Sequence, residues 1–229
     1  MQSQRDKGSR APAEHLKGRC LFLMVSLLVL LLVHPFFPAG PVGQTLLLIL
    51  NSGTLIAGIY AVSDSRKHTI VATVIGVLWF ALAWSNPVLG AGVPSFLTLV
   101  VTIIFYTFAL VRVLAYVLQV SPVTKDKIYG AISVYLLMGV AWASCYSLIH
   151  VVQPEAFFAD QAHNPEGAMR FADFLYFSFV TLTTLGYGDI TPVSSQARSL
   201  AMMEAVCGVL YIAVLVARLV SVYRPQGES

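Results

Sequence analysis

The chain has 229 residues, of which 57% are hydrophobic and 11% charged, and its mean hydropathy is +0.77. These values exclude a soluble globular protein and place the chain in the membrane class. The formal net charge is only +3, so the positions of the charges carry more information than their sum.

The N-terminal residues 1–19 form a predicted basic cytoplasmic tail, and such a tail favours contact with anionic lipid. The first hydrophobic run, from Cys20 to about Pro38, is long enough to span a bilayer. A signal peptide would also begin with basic residues followed by a Leu-rich stretch. A cut after Ala39 would put the bulky Phe37 where a small residue is required, so we favour a retained helix.

Five further hydrophobic segments follow, each near or above the ~17 to 25 residues that a bilayer requires. They cover Thr45 to Val62, Thr69 to Trp84, Pro94 to Gln119, Ile128 to Val152 and Arg198 to Tyr223. Continuous apolar runs of this length indicate helices, because a helix satisfies its own backbone polar groups in hydrocarbon. We therefore predict an all-α membrane protein with six transmembrane helices and one short re-entrant helix before the last span.

The basic residues predict the orientation of these helices, because cytoplasmic loops hold most Lys and Arg. With the N-terminal tail inside, all basic residues except Arg170 and Arg198 fall on the cytoplasmic side. Both termini are then cytoplasmic, and the segment before the last span opens to the outside. We expect a multi-pass protein of the cell membrane.

The stretch from Asp173 to Pro192 carries the motif on which the functional prediction depends. A short apolar helix pattern runs from Asp173, an N-cap residue type, to Thr183. It continues into Thr184-Leu185-Gly186-Tyr187-Gly188, which Asp189 follows. This arrangement resembles the re-entrant pore helix and selectivity filter of potassium channels. Gly-Tyr-Gly occurs in ordinary loops, but its place between an apolar helix and the last span argues against chance.

The resemblance implies a homotetramer in which four identical chains each supply one wall of the pore. The implied K+ ligands are the hydroxyl and carbonyl groups of Thr184 and the carbonyls of Leu185, Gly186 and Tyr187, with Gly188 completing the filter. The Tyr187 side chain should point away from the axis and pack on surrounding helices. No cofactor is expected, since K+ is the permeant ion, and neither an enzyme activity nor nucleic-acid binding is expected.

The predicted filter departs from the family pattern in three places. Leu185 stands where Val or Ile is usual, and a side chain branched at Cγ restrains the backbone less. Many members place tryptophans where Tyr176 and Phe177 stand, and some place a glutamate at Val180 to brace the residue that matches Asp189. Tyr176 and Asp189 are our candidates for filter support.

Glu204 is a third candidate for filter support, because a carboxyl inside a membrane helix is costly unless it is paired or protonated. We expect it to hydrogen-bond Ser178 or Thr181 behind the pore helix. The alternative is an outer-leaflet glutamate that reaches water, paired with Arg198. Gly208 occupies the place of the family's gating-hinge glycine, although small residues also simply allow helices to pack closely.

The domain organisation follows from these assignments. We predict a basic tail at 1–19, a peripheral four-helix domain at 20–120, a cytoplasmic linker at 121–127, a pore domain at 128–223 and a cytoplasmic tail at 224–229. The fourth peripheral helix holds a single arginine, Arg112. A voltage sensor needs several, because each charge moved is worth ~2.3 kcal/mol per 100 mV, so we expect no voltage gating by the usual arginine mechanism.

Other function classes stay open at this point. A non-selective monovalent cation channel is the nearest alternative, because Leu185 is unusual. A potassium transporter subunit is another, but transporters with a similar filter carry four degenerate copies in one long chain. A membrane enzyme is disfavoured, since the predicted helices carry no cluster of acidic residues and histidines.

Overall fold

The computed structural model describes residues 18–37, 40–89, 93–119, 124–160 and 169–222. The α-helices are α1 (Arg19–Val33), α2 (Pro41–Val62), α3 (Arg66–Leu89), α4 (Val93–Val117), α5 (Lys125–Val152), α6 (Phe171–Leu182) and α7 (Ser195–Val222). Short elements are the 3-10 helices His34–Phe36 and Pro154–Ala156 and the strands β1 (Phe157–Ala159) and β2 (Ile190–Pro192). Residues 1–17, 121–123 and 224–229 of the predicted tails and linker lie outside the described residues.

Five described helices, α2, α3, α4, α5 and α7, are long and apolar enough to cross a membrane. α1 has 15 residues and is roughly 22 Å long at 1.5 Å per residue. It ends at Val33 because Pro35 has no backbone N–H to continue the helix, and a 3-10 turn follows. Five of the six predicted spans are thus helices of sufficient length among the described residues, and spanning by α1 stays a prediction.

The helices are organised around α5. Helices α1, α4 and α6 all pack on it, while α2 and α3 connect α1 to α4 and complete a peripheral layer. α7 packs on α5 and α6. Within their spans, 61% of α5 is buried but only 11% of α7, so the last helix leaves most of its apolar surface uncovered in the single chain.

Two glycines explain how closely the neighbours approach α5. A Cβ added at Gly130 would lie 3.0 Å from Val117 of α4 and 3.2 Å from the sulfur of Cys20 in α1. A Cβ at Gly139 would lie 2.4 Å from the ring of Phe179 in α6. The peripheral helices therefore pack closely on α5 at Gly130, and the re-entrant helix packs closely on it at Gly139.

The predicted cytoplasmic end of the peripheral layer is joined to α5 by Asp126. This carboxylate, in the first turn of α5, accepts hydrogen bonds from the backbone N–H groups of Gly18 (3.1 Å) and Cys20 (3.2 Å). It also accepts one from the Tyr116 hydroxyl of α4 (3.1 Å). A side chain of one helix thereby caps the N-terminus of another, where unpaired N–H groups favour negative charge.

Arg112, the single arginine of α4, contacts the turn between α2 and α3. Its guanidinium group donates to the carboxylate of Asp64, a residue of that turn, at 2.5 Å, and Asp64 also pairs with His68 in the first turn of α3. Burial alone would raise the pKa of Asp64, but the hydrogen bonds from His68 and Arg112 outweigh it and hold the pKa below its ordinary value. The lone arginine of α4 is therefore an ion-pair partner.

A second contact joins α4 to the end of α7. The backbone carbonyl of Gln119, just after α4, accepts hydrogen bonds from Lys127 of α5 and Arg218 of α7, both at 2.9 Å. Cations are favoured near the carbonyl groups at a helix C-terminus. The predicted inner end of α7 is thus held to the peripheral layer.

The strands β1 and β2 form an antiparallel ladder that the sequence analysis did not predict. Phe157 pairs with Pro192, and the Asp160 N–H donates to the Asp189 carbonyl (2.9 Å) next to the ladder. The ladder joins two segments: β2, which follows the predicted filter, and β1, which follows α5.

Candidate functional site

The re-entrant helix α6 begins two residues earlier than predicted, and its cap differs from our expectation. We expected Asp173 at the N-cap, but the N-cap residue is Arg170 and Asp173 lies in the first turn. The Asp173 carboxylate accepts a hydrogen bond from the Arg170 backbone N–H at 2.6 Å. An Asp at this position satisfies the same unpaired N–H groups from inside the helix, which composition alone does not distinguish from an N-cap.

The backbone φ angle alternates in sign along residues 184–188. Thr184, Gly186 and Gly188 have φ angles of 60°, 59° and 82°, whereas Leu185 and Tyr187 are not among the residues with positive φ. The glycines adopt this conformation without a Cβ penalty. For a β-branched residue such as Thr184 it is a true outlier, and such strain concentrates at functional sites.

The N–H groups at the start of this stretch donate back to α6. Leu185 donates to the Val180 carbonyl at 2.9 Å and Gly186 to the same oxygen at 3.4 Å. Thr184 donates to the Thr181 carbonyl at 2.9 Å. The carbonyls of residues 184–187 accept no hydrogen bond from the described part of the chain, so their oxygens are available to a ligand.

The side chains of the stretch are largely uncovered in the single chain. Leu185 is 55% exposed and Tyr187 is 68% exposed. We expected Tyr187 to pack on surrounding helices, and the helices described for this chain do not cover it. The packing of Tyr187 on helices therefore stays a prediction.

The outer end of the stretch is held by Asp189. Its carboxylate accepts a hydrogen bond from the Tyr176 hydroxyl at 2.7 Å, and from its neighbour Ile190 N–H at 3.1 Å. Tyr176 therefore contacts Asp189 directly, without the tryptophan that many family members place there. The structure brings these two predicted support residues together.

Glu204 of α7 is completely buried and lies behind α6. Its carboxyl group is 2.5 Å from the Ser178 hydroxyl, which also lies 2.8 Å from the Gly139 carbonyl of α5. The Tyr146 hydroxyl of α5 donates to the second carboxyl oxygen. The contact with Ser178 is one of the two that we expected.

The alternative environment for Glu204, with access to water and pairing with Arg198, is wrong. The side chain has no exposed surface, and the ion pairs among the described residues involve only Asp64, His68 and Arg112. The sequence analysis missed Tyr146 altogether. Its only signal was a hydroxyl within a membrane helix, which needs a hydrogen-bonding partner.

Gly208 faces the C-terminal end of α6. A Cβ at this position would lie 2.4 Å from the carbonyl oxygen of Leu182, a backbone atom that cannot move aside easily. The same carbonyl accepts a weak hydrogen bond from the Tyr135 hydroxyl (3.4 Å). This geometry supports the close-packing interpretation of Gly208, and its role as a gating hinge stays a prediction.

Comparisons with known proteins show what this chain is similar to. The sequence model of a family described as an ion channel matches residues 130–224. The chain is 36% identical to two-pore potassium channel 4 of Arabidopsis thaliana over 106 residues, which cover 45% of this chain and 34% of the relative. It is 32% identical over 100 residues to protein LctB of Bacillus caldotenax, which cover 42% of this chain and 71% of LctB.

The chain belongs to the potassium channel family. A further relative is the inward rectifier potassium channel Kirbac3.1 of Paramagnetospirillum magnetotacticum, with 31% identity over 78 residues, 34% of this chain and 22% of the relative. The match to the plant channel spans about a third of that protein's own length.

The match to the family model covers the second part of this chain. It begins near the start of α5 and includes α6, the filter stretch and α7, while residues 1–129 fall outside it. The described residues contain no group of three or more His, Cys, Asp or Glu side chains that could hold a metal ion. The backbone carbonyls of residues 184–187 stay the predicted ion ligands of this chain.

Proposed function

We propose that this chain is the subunit of a homotetrameric potassium-selective channel that conducts K+ passively across the cell membrane. The observation that carries the proposal is the alternating backbone of residues 184–188, with φ near 60° at Thr184 and Gly186, and carbonyls that accept no hydrogen bond from the described chain. A K+ ion must exchange its water shell for oxygen ligands, and rings of backbone carbonyls provide them.

The N–H pattern supports the same assignment. Leu185 and Gly186 both donate to Val180, so one edge of the filter backbone is fixed to the pore helix. The opposite edge, with the carbonyl oxygens, is free to face an ion. The C-terminal end of α6 points to this site, and a helix C-terminus carries partial negative charge that favours a cation.

The homotetramer follows from what one chain lacks. A single filter copy supplies one wall, and closed symmetric assemblies are the usual way to complete a ring. The largely uncovered surface of α7 and the exposed Tyr187 side chain are the surfaces that subunits around a fourfold axis would bury. Native mass spectrometry should give four copies of the 24.9 kDa chain.

We assign the peripheral helices a packing role without voltage sensing. Arg112 is the lone arginine of α4, and it is paired with Asp64 near one end of the helix. Both termini are assigned to the cytoplasm from the distribution of Lys and Arg, and the basic residues 1–19 would contact anionic lipid there.

The first test is tracer flux into liposomes that contain the purified full-length chain. With a K+ gradient as the driving force, radioactive Rb+ should accumulate, and Na+ should enter no faster than into protein-free liposomes. Equal uptake of Na+ and Rb+ would support the non-selective cation channel, the alternative that the exposed and unusual Leu185 leaves open.

A matched pair of glycine variants links the flux to the filter backbone. No atom lies within 4 Å of a Cβ added at Gly186 or at Gly53, so neither alanine meets a clash. Gly186 has φ 59°, where an L-residue costs ~1 to 2 kcal/mol, and four subunits multiply that cost. Gly186→Ala should abolish Rb+ uptake, whereas Gly53→Ala in α2 should keep it.

A further inference from the structure

Three helices of the pore region meet at a buried cluster of oxygen atoms. Glu204 of α7, Ser178 of α6 and Tyr146 of α5 are each 0% exposed. Their side chains form a continuous hydrogen-bonded path that also includes the Gly139 carbonyl of α5. The cluster lies behind the filter and outside the proposed ion path.

The hydrogen bonds of this cluster bear on whether the Glu204 carboxyl group is protonated. It contains three oxygen-to-oxygen contacts: Tyr146 to Glu204, Ser178 to Glu204 at 2.5 Å, and Ser178 to the Gly139 carbonyl at 2.8 Å. Each hydrogen bond needs one proton, and a hydroxyl group has only one to donate. Tyr146 and Ser178 together supply two, so all three contacts are hydrogen bonds only if the Glu204 carboxyl group carries the third proton.

One arrangement of protons satisfies all three contacts. The Glu204 carboxylic acid donates to the Ser178 hydroxyl oxygen, and the Ser178 hydroxyl donates to the Gly139 carbonyl. The Tyr146 hydroxyl donates to the other carboxyl oxygen. An ionised Glu204 would accept the hydrogen bond of the Ser178 hydroxyl group. Ser178 could then no longer donate to the Gly139 carbonyl, and the link between α6 and α5 would be lost.

The surroundings agree with a neutral acid. The titratable groups that act electrostatically on this site are Tyr135, Cys145 and Tyr146, all on α5 and all ordinarily uncharged at neutral pH. α6 contributes Ser178, and no Lys, Arg or His of the described residues forms an ion pair with Glu204. A buried carboxylate without a cation is strongly unfavourable.

We propose that Glu204 is a neutral carboxylic acid whose proton completes a link from α7 through Ser178 to α5, and that this link positions the filter. The link reaches the filter because Ser178 lies half a helical turn before Val180, whose carbonyl accepts the N–H groups of Leu185 and Gly186. Glu204 is a positioning residue, and its effect on conduction rests on the channel function proposed above.

Infrared spectroscopy of the reconstituted full chain tests the protonation state without any ion flow. Labelling with carbon-13 glutamate should reveal an isotope-shifted carboxylic acid C=O band at neutral pH, which disappears in Glu204→Gln. Tyr146→Phe removes one hydrogen bond and should shift the frequency of the same band, which assigns it without replacing the acid. Absence of a glutamic acid band in the wild-type protein would overturn the proposal.

The pH profile of conduction tests the positioning role. Rb+ flux of the wild-type protein should fall as alkaline pH ionises Glu204, whereas flux through Glu204→Gln, whose amide can still donate to Ser178, should not change with pH. Glu204→Ala should conduct at least about tenfold less than Glu204→Gln, because alanine removes the buried hydrogen bonds to both Ser178 and Tyr146. The exposed Glu155 gives the control, since Glu155→Gln should keep the wild-type profile.

The two experiments separate the possible failures. A glutamic acid band without Rb+ flux would contradict the proposed channel function and leave the neutral acid in place. Rb+ flux with identical pH profiles for the wild-type protein and Glu204→Gln would overturn the positioning role.

Discussion

The Tyr176 hydroxyl group donates a 2.7 Å hydrogen bond to the Asp189 carboxylate and so joins the pore helix to the first residue after the filter. The antiparallel ladder between β1 and β2 holds the same segment from the other side, through the Asp160 N–H and the Asp189 carbonyl. The outer end of the filter is thus fixed through the side chain and the backbone of one residue.

Removal of this contact should make the conducting filter less stable. Tyr176 is 40% exposed, so we expect Tyr176→Phe to cost about 1 kcal/mol, at the modest end for a hydrogen bond to a charged group. Currents should then decay roughly fivefold faster during sustained conduction. Tyr129→Phe is the matched control, since the Tyr129 hydroxyl forms no hydrogen bond within the described residues; equal decay in both variants would contradict the assignment.

Gly208 offers a test that separates close packing from a hinge. Alanine at this position would place a Cβ 2.4 Å from the Leu182 carbonyl oxygen, so we expect a loss of ~1 to 3 kcal/mol in stability. The thermal stability of the protein in detergent measures this loss. Gly53→Ala, where the added Cβ meets open space, should not lower it. A Gly208→Ala protein with unchanged stability and altered channel opening would favour the hinge.

Substitution of Arg112, which pairs with Asp64, tests whether the chain lacks the usual voltage sensor. Arg112→Gln should leave the steepness of the conductance–voltage relation unchanged, because the arginine is held near one end of α4 by a partner in a turn. Its cost in stability should be below about 1 kcal/mol, since both side chains are partly exposed. Lys67→Gln removes an exposed charge from the same end as a control. A flatter voltage relation in Arg112→Gln alone would show that Arg112 senses voltage.

We predict that the contact between His34, in the turn after α1, and the pore helix is weakened by acid. The side chain is 8% exposed, its ring lies 5.7 Å from that of Phe171, and its Nδ1 has no hydrogen-bond partner among the described residues. Burial lowers the pKa of His34 below the ordinary 6.5, although the nearby Asp173 carboxylate raises it in part. The folded protein therefore binds this proton less readily than the unfolded chain.

The sign of the pH effect follows from that difference. The stability contributed by neutral His34 is fully present above pH 6.5 and is lost as the pH falls from there through the lowered pKa. The thermal stability of the wild-type protein should drop over this range more than that of His34→Phe, which keeps the ring but cannot titrate. The partly exposed His68 is the control, as His68→Asn changes a different contact. Parallel profiles for wild type and His34→Phe would refute the effect.

The sequence predicted those parts of the molecule that depend on local chemistry. The apolar runs predicted six spans, of which five are helices long enough to cross a membrane, and the motif Thr184 to Gly188 lies where the backbone has positive φ at both glycines. Glu204 was a candidate because a carboxyl in an apolar helix requires a partner, and Ser178 is one of the two partners expected.

The sequence did not predict contacts between residues far apart in the chain. Tyr146 is 58 positions from Glu204, and Asp64 is 48 positions from Arg112, so only the packing of the helices brings them together. The end of α1 differs less from the expectation: the first hydrophobic run was bounded at about Pro38, whereas the helix ends at Val33, just before the turn that contains Pro35.

The reversal potential of the reconstituted full-length channel, measured with K+ on one side of a planar bilayer and Na+ on the other, tests the central claim most directly. A filter formed by the carbonyls of residues 184–187 should carry current that reverses close to the K+ equilibrium potential, and Gly186→Ala should remove that current. A current that reverses near zero voltage, with Na+ and K+ passing equally, would contradict the account.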